Sequence, residues 1–342
     1  MIQKFTVSRD DTIYEAWPDL VLTENEKLIC VFSECTHHKD RSYTRIVLCE
    51  SVDRGRTWSP KKPLTDGTKG LPYWNCARIS RLRDGRLAVV CDLINETGEK
   101  NAKVFVWFGD SEGQSWTGPI ETPIRGIVPD KLCELPDGRW LLAAHSKNGE
   151  GYAEQHVWYS DDQGTTWSER IVLAARDGLR LCEVSILPLP DGTLAAYLRE
   201  NSFTGMDCYK TLSYDRGESW GELIRVPIPG CHRPVTGFLQ SGHILLTYRF
   251  LQGGRRVGIG PSAQNFFAAL MNLESALATE RHEQSARIMP LDYDRSPVAD
   301  LGYSGWVQFA DGEIYIVQYI VDDAPKAQIR GYSLREDAFH FY

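Results

Sequence analysis

No run of Lys or Arg in the 342-residue chain exceeds two residues, and no apolar run approaches the length of a membrane span. With a formal net charge of −8, the chain lacks the basic stripe that counterion-release binding requires. Neither a nucleic-acid nor a membrane partner is expected. An anionic ligand would have to be held by a few local Arg residues working against the global field. The opening "MIQKFTVSRD" lacks the apolar region of a signal peptide, so a cytoplasmic location is expected. Nine Cys, at 30, 35, 49, 76, 91, 133, 182, 208 and 231, form no Cys-x-x-Cys pair. An odd count without ligand spacing reads as reduced, buried thiols. Neither a cofactor nor a metal is expected: adjacent His37 and His38 rarely point at one ion, and no third ligand has fixed spacing. Met is scarce, with 4 residues against 10 Trp, 15 Tyr and 12 Phe. Large flat rings suit sheet faces and sugar-binding clefts, which tilts the reading towards β structure.

Two repeats run through the chain. The octamer "SVDRGRTW" (Ser51 to Trp58) returns as "SDDQGTTW" (Ser160 to Trp167) and "SYDRGESW" (Ser213 to Trp220), with a degraded copy, "DSEGQSW", from Asp110 to Trp116. Its glycines, Gly55, Gly113, Gly164 and Gly217, are 58, 51 and 53 residues apart. Interleaved with it, "LRDGRLAVV", "LPDGRWLLAA", "LPDGTLAAYL", "LQSGHILLTY" and "FADGEIYIVQY" each place a Gly turn between two apolar alternating runs. That is a hairpin signature. "LTENEKLICVF" fills the first such place without Gly. Each unit therefore reads as strand, tight turn, strand, loop, strand, octamer turn, strand.

Four-stranded units of about fifty residues, six in number, predict an all-β, six-bladed β-propeller forming a single domain over residues 1–342. The last unit lacks a fourth strand, and "IQKFTV" at the N-terminus is expected to supply it and close the ring. Four equivalent octamers cannot all be one active site, so they read as scaffold: Ser and Asp bond the turn, Gly takes the strained conformation and Trp packs. Blade five lacks the octamer, and "NFFAALMNLESALATE" within it suits either strand or helix.

Ser-x-Asp-x-Gly-x-Thr-Trp repeats in a six-unit propeller resemble the Asp-boxes of the sialidase superfamily, over essentially the whole chain. The resemblance implies a Tyr nucleophile paired with a Glu, an Asp acid/base and three Arg holding a substrate carboxylate. "YSGWVQFADGEIYIV" places the Tyr at Tyr303. "CEVSILPLPDGTLAAYLREN" supplies Glu183 and Arg199. "YRFLQGGRRVGI" in blade five offers Arg249, Arg255 and Arg256, with the choice open. "SECTHHKDRSYTR" supplies Asp40 as the acid/base. The first family Arg has no counterpart: "EAWPDL" carries Ala16 there, followed by Trp17.

Residues that start a first strand or follow a second strand should converge on one end of a propeller. This rule adds Arg78, Arg233 and His38 to the ligand-binding candidates, beside Arg199, Arg249 and Arg256. Trp17 and Trp74 are expected to stack on a sugar face. A phenol is a poor nucleophile until a base takes its proton, a role for Glu183. A buried Asp40 with raised pKa would protonate the leaving oxygen. The implied activity is hydrolysis of a terminal sugar, neutral or acidic, from a carbohydrate substrate. Two alternatives stay open: a polysaccharide lyase acting on a uronate, and a non-catalytic glycan-binding propeller. Cys231 has no local base signature. The sequence does not specify an oligomeric state.

Overall fold

The computed structural model describes residues 2–202, 207–252 and 263–340. Its strands form six four-stranded antiparallel sheets, the blades of a six-bladed β-propeller. Their first strands are Tyr14–Leu22, Tyr73–Arg81, Cys133–Glu134, Leu181–Pro188, Cys231–Phe238 and Leu301–Gln308. We number the blades one to six in that order. The N-terminal strand Gln3–Ser8 pairs antiparallel with Gln328–Leu334 and completes blade six, as the missing fourth strand requires.

By its contacts the chain divides into two compact units, residues 1–134 with 295–342 and residues 135–294. In the first unit, blades one and six share a core built on Leu28, Phe32, Val47, Tyr315, Val317 and Ile329. Their first strands approach so closely that a Cβ on Gly305 would lie 2.2 Å from Asp19 Oδ1. In the second unit, Ala195, Tyr197, Ile228, Leu246 and Tyr248 join blades four and five.

The octamers are scaffold. In the first, Ser51 Oγ accepts from Gly55 N at 2.8 Å, and Asp53 accepts from Arg56 N, Thr57 N and Thr57 Oγ1 at 2.6–3.1 Å. Trp58 Nε1 donates back to Gly55 O at 3.1 Å. The copies at Ser160 and Ser213 repeat the Ser-to-Gly and Asp-to-hydroxyl bonds. These bonds hold the Asp53 carboxyl down to about 2, the Thr57 hydroxyl contributing most. In blade five the ambiguous stretch resolves into a strand, Ala263–Met271, and a one-turn helix, Leu273–Leu277, capped by Asn272.

The six hairpins share one geometry. Their turns place Gly85, Gly138, Gly192, Gly242 and Gly312 at positive φ, and Glu26 adopts φ 58° where blade one lacks the Gly. Seven residues past each of these lie Ser33, Asp92, His145, Arg199, Arg249 and Tyr319. That shared phase gives these residues one equivalent place in the second strand of each blade.

Candidate functional site

The first strands of blades one, four, five and six each carry a bulge: the pairing register shifts after Ala16, Cys182, His232 and Gly302. The next residue in each case is Trp17, Glu183, Arg233 or Tyr303, and all four adopt left-handed φ, between 51° and 55°. Such a conformation costs about 1–3 kcal/mol for a residue with a Cβ and persists only where the surroundings enforce it. A bulge re-aims one side chain, and here the same device is used on four functional candidates.

Two arginines brace three of these four bulges. In the first unit, Arg78 Nη1 donates to Pro18 O at 3.2 Å and Nη2 to Ser304 O at 3.0 Å. Those are the carbonyls of the residues that follow Trp17 and Tyr303. Its Nε lies 3.3 Å from Asp19 Oδ2, both side chains being at most 1% exposed. In the second unit, Arg233 Nη1 donates to Val184 O at 3.0 Å, the carbonyl after Glu183. Arg78 and Arg233 were expected to bind ligand. The structure instead commits these buried guanidinium groups to bracing the strained backbone.

In the second unit, the Glu183 carboxylate receives Arg199 Nη1 at 2.8 and 2.9 Å, and Arg199 Nη2 donates to Asn201 Oδ1 at 2.8 Å. Burial alone would push the Glu183 carboxyl up. The charges of Arg199, Arg249, Arg233 and His145 outweigh it and hold the group well below the usual carboxylate range. Arg249 pairs across the sheet with His232, just as Arg199 pairs with Cys182. Burial, then Arg199 and Arg249, push His232 well below its ordinary value, so it stays neutral. Of the blade-five alternatives, Arg249 is placed beside the bulge of its blade. Arg255 and Arg256 lie outside the described residues.

In the first unit, Tyr303 is 7% exposed and its ring centroid lies 6.3 Å from that of Tyr319. Tyr319 Oη donates to Asp300 Oδ1 at 2.8 Å, and Tyr14 Oη donates to Oδ2. His38 Nδ1 meets the same Oδ2 at 2.5 Å. The His38 ring stands edge-on to Trp17 at 5.2 Å, and Trp17 lies 6.0 Å from Tyr319. Tyr14, Trp17, His38, Asp300, Tyr303 and Tyr319 thus form one aromatic and acid/base cluster. Beside it, the Arg41 guanidinium lies 4.1 Å over Trp17 and 5.3 Å from the Tyr73 ring. Arg41 Nη2 donates to Asn75 Oδ1 at 2.9 Å, and Asn75 Nδ2 to the buried Asp92 at 2.9 Å.

The expectations for Asp40 and Trp17 are corrected. Asp40 is the exposed first residue of the strand Asp40–Ser51, where Ser42 N donates to it at 2.9 Å. That bond holds its carboxyl below the ordinary value, opposite to what a buried acid needs. Trp17 is only 2% exposed, covered by Arg41 and His38, so it is no open sugar platform. Trp74 is half-buried against Phe105 and Trp107, at 5.3 and 5.0 Å. Sequence reasoning missed Asp300, Tyr319 and Arg41. Tyr319 was findable, because it stands at the same distance past its turn glycine as Arg199 and Arg249 do past theirs. Asp300 carried no comparable signal.

The fold and the repeats define an Asp-box β-propeller, and the chain matches the BNR repeat-like domain family over residues 27–316. The chain belongs to that family. A 136-residue stretch is 37% identical to the anhydrosialidase of Macrobdella decora, covering 36% of this chain and 16% of that protein. Another, of 200 residues, is 24% identical to a sialidase of Paraclostridium sordellii, covering 48% of this chain and 49% of that protein. The matches therefore span at most about half of those relatives' length. A solved structure of a Dyadobacter fermentans protein of unknown function superposes with a TM-score of 0.80 at 19% identity, covering 98% of this chain and 99% of the other.

Proposed function

We propose that this chain is a sialidase-like glycoside hydrolase that releases a terminal acidic sugar from a glycan. The observation that carries this reading is the bulge equivalence. A Tyr and a Glu occupy the same strained first-strand position in two blades, and the Glu stands among arginines in a chain of net charge −8. Tyr303 is the nucleophile. Its oxygen bonds to the anomeric carbon as the glycosidic C–O bond breaks, and water later releases the sugar. A neutral phenol meets an anionic sugar without the repulsion that a carboxylate nucleophile would suffer. Within the second unit, Arg199 and Arg249 beside Glu183 supply the positive charge an acidic sugar needs, as two arms of a carboxylate clamp.

The test is a panel of 4-methylumbelliferyl glycosides of neutral sugars, sialic acid and glucuronic acid, with Tyr303→Phe beside the wild type. Turnover of an acidic glycoside that falls by about 10³-fold or more in the variant supports the reading. Undiminished turnover in Tyr303→Phe overturns it. An unsaturated product absorbing in the near ultraviolet from a uronate oligomer would make the chain a lyase instead.

A further inference from the structure

We infer that His38, oriented by Asp300, is the proton-transferring residue of this site. The inference rests on the hydrolase reading and deepens it by assigning the acid/base. Hydrolysis needs a group that gives a proton to the leaving oxygen and later takes one from water. Asp40 is exposed and fixed as a carboxylate by Ser42.

His38 has the surroundings such a residue needs. Its Nδ1 lies 2.5 Å from Asp300 Oδ2, a carboxylate that accepts only, so Nδ1 carries hydrogen and Nε2 is the reactive nitrogen. Asp300 is itself fixed, receiving Tyr319 Oη on one oxygen and Tyr14 Oη on the other. This is the orienting arrangement of a carboxylate behind a catalytic imidazole. Trp17 sets the ring from the side. The side chain of His38 is 40% exposed against 17% for Asp300, so the imidazole is the accessible member of the pair. Tyr319 ties the dyad to the nucleophile, since it bonds Asp300 and packs its ring against Tyr303.

The proton balance follows. In the first step the His38 imidazolium gives its Nε2 proton to the glycosidic oxygen, which leaves as an alcohol while Tyr303, its phenol proton passing to solvent water, bonds to the anomeric carbon. In the second, neutral Nε2 takes a proton from water, whose oxygen attacks that carbon and displaces the Tyr303 phenolate, which takes its proton back from solvent. The imidazolium is restored. Asp300 is a positioning residue and exchanges no proton.

The experiment compares 4-methylumbelliferyl α-sialoside, whose aryl leaving group departs without a proton, with 3′-sialyllactose, whose alkoxide does not. His38→Ala and the bulkier His38→Gln should lose about 10²–10⁴-fold of kcat on sialyllactose and far less on the aryl sialoside. Asp40→Asn should match the wild type on both. Asp300→Asn should lower kcat with little change in KM. In ¹⁵N–¹H spectra it should also convert the His38 ring from Nδ1–H to a tautomer mixture, which a merely structural role would not do. Wild-type turnover with equal losses on the two substrates, or with no loss in either His38 variant, overturns the assignment alone. No wild-type turnover of either substrate overturns the hydrolase reading and the assignment with it.

Discussion

Replacing Arg78 by Met tests whether the strained first-strand bulges are held from outside. The substitution keeps an apolar stem of similar length and removes the guanidinium with its hydrogen bonds and ion pair. Pro18 O and Ser304 O lose donors at 3.2 and 3.0 Å, and Asp19, fully buried, loses the guanidinium 3.3 Å away. Breaking a buried ion pair by deleting one partner typically costs about 3–5 kcal/mol, and each orphaned buried carbonyl about 1–3 kcal/mol. Asp19 keeps Lys131 Nζ at 3.0 Å and the Leu20 and Ile79 amides at 2.8 and 2.9 Å. These partners hold the expected total to about 3–5 kcal/mol. Urea denaturation followed by Trp fluorescence reads it directly, with the single variants Arg78→Met and Asp19→Asn and their double variant forming a cycle. Because the two residues share one contact, the double variant should cost less than the sum of the singles. A loss below about 1 kcal/mol in Arg78→Met, or strict additivity in the cycle, would refute the bracing argument.

The packing of blade six against blade one gives a second expectation: Gly305→Ala puts a Cβ 2.2 Å from Asp19 Oδ1 and should cost at least about 1–3 kcal/mol, read in the same denaturation assay. A third concerns acid. The Asp53 carboxyl is held at about 2 in the fold against 3.8 ordinarily, chiefly by the Thr57 hydroxyl. A depressed folded value means its contribution is complete above pH 3.8 and disappears as pH falls towards 2. Thermal midpoints measured across that window should therefore fall less steeply in Asp53→Asn than in the wild type. Parallel curves would show that the octamer carboxylate does not contribute.

The fold was legible because repetition multiplies weak signals. One Asp-Gly turn or one octamer decides nothing, but six hairpins interleaved with four octamers in constant phase leave little besides a propeller. The family resemblance named Glu183 and Arg199 and left Arg249, Arg255 and Arg256 open. The distance past the turn glycine, which Arg199 and Arg249 share, would also have found Tyr319. Asp300 sits on a connecting segment and Arg41 is the second residue of the strand Asp40–Ser51, so the turn phase points to neither. Arg233 is the third residue of its strand and Arg78 the sixth of its own, and both guanidinium groups are buried against backbone carbonyls. A strand's period tells which side chains alternate, not that a neighbouring bulge presents a carbonyl for a guanidinium to fill.

Local chemistry in the chain was enough to determine the sheets, their turns and the octamer bonds, because these interactions lie within a few residues or across one hairpin. Which His, Asp and Arg serve chemistry and which serve the backbone was decided only by the tertiary structure. His38 meets Asp300, and Arg78 meets Ser304, across more than two hundred residues of chain. The role of an ionisable group is set by the partner that desolvates or neutralises it, and that partner is chosen by packing rather than by position in the sequence.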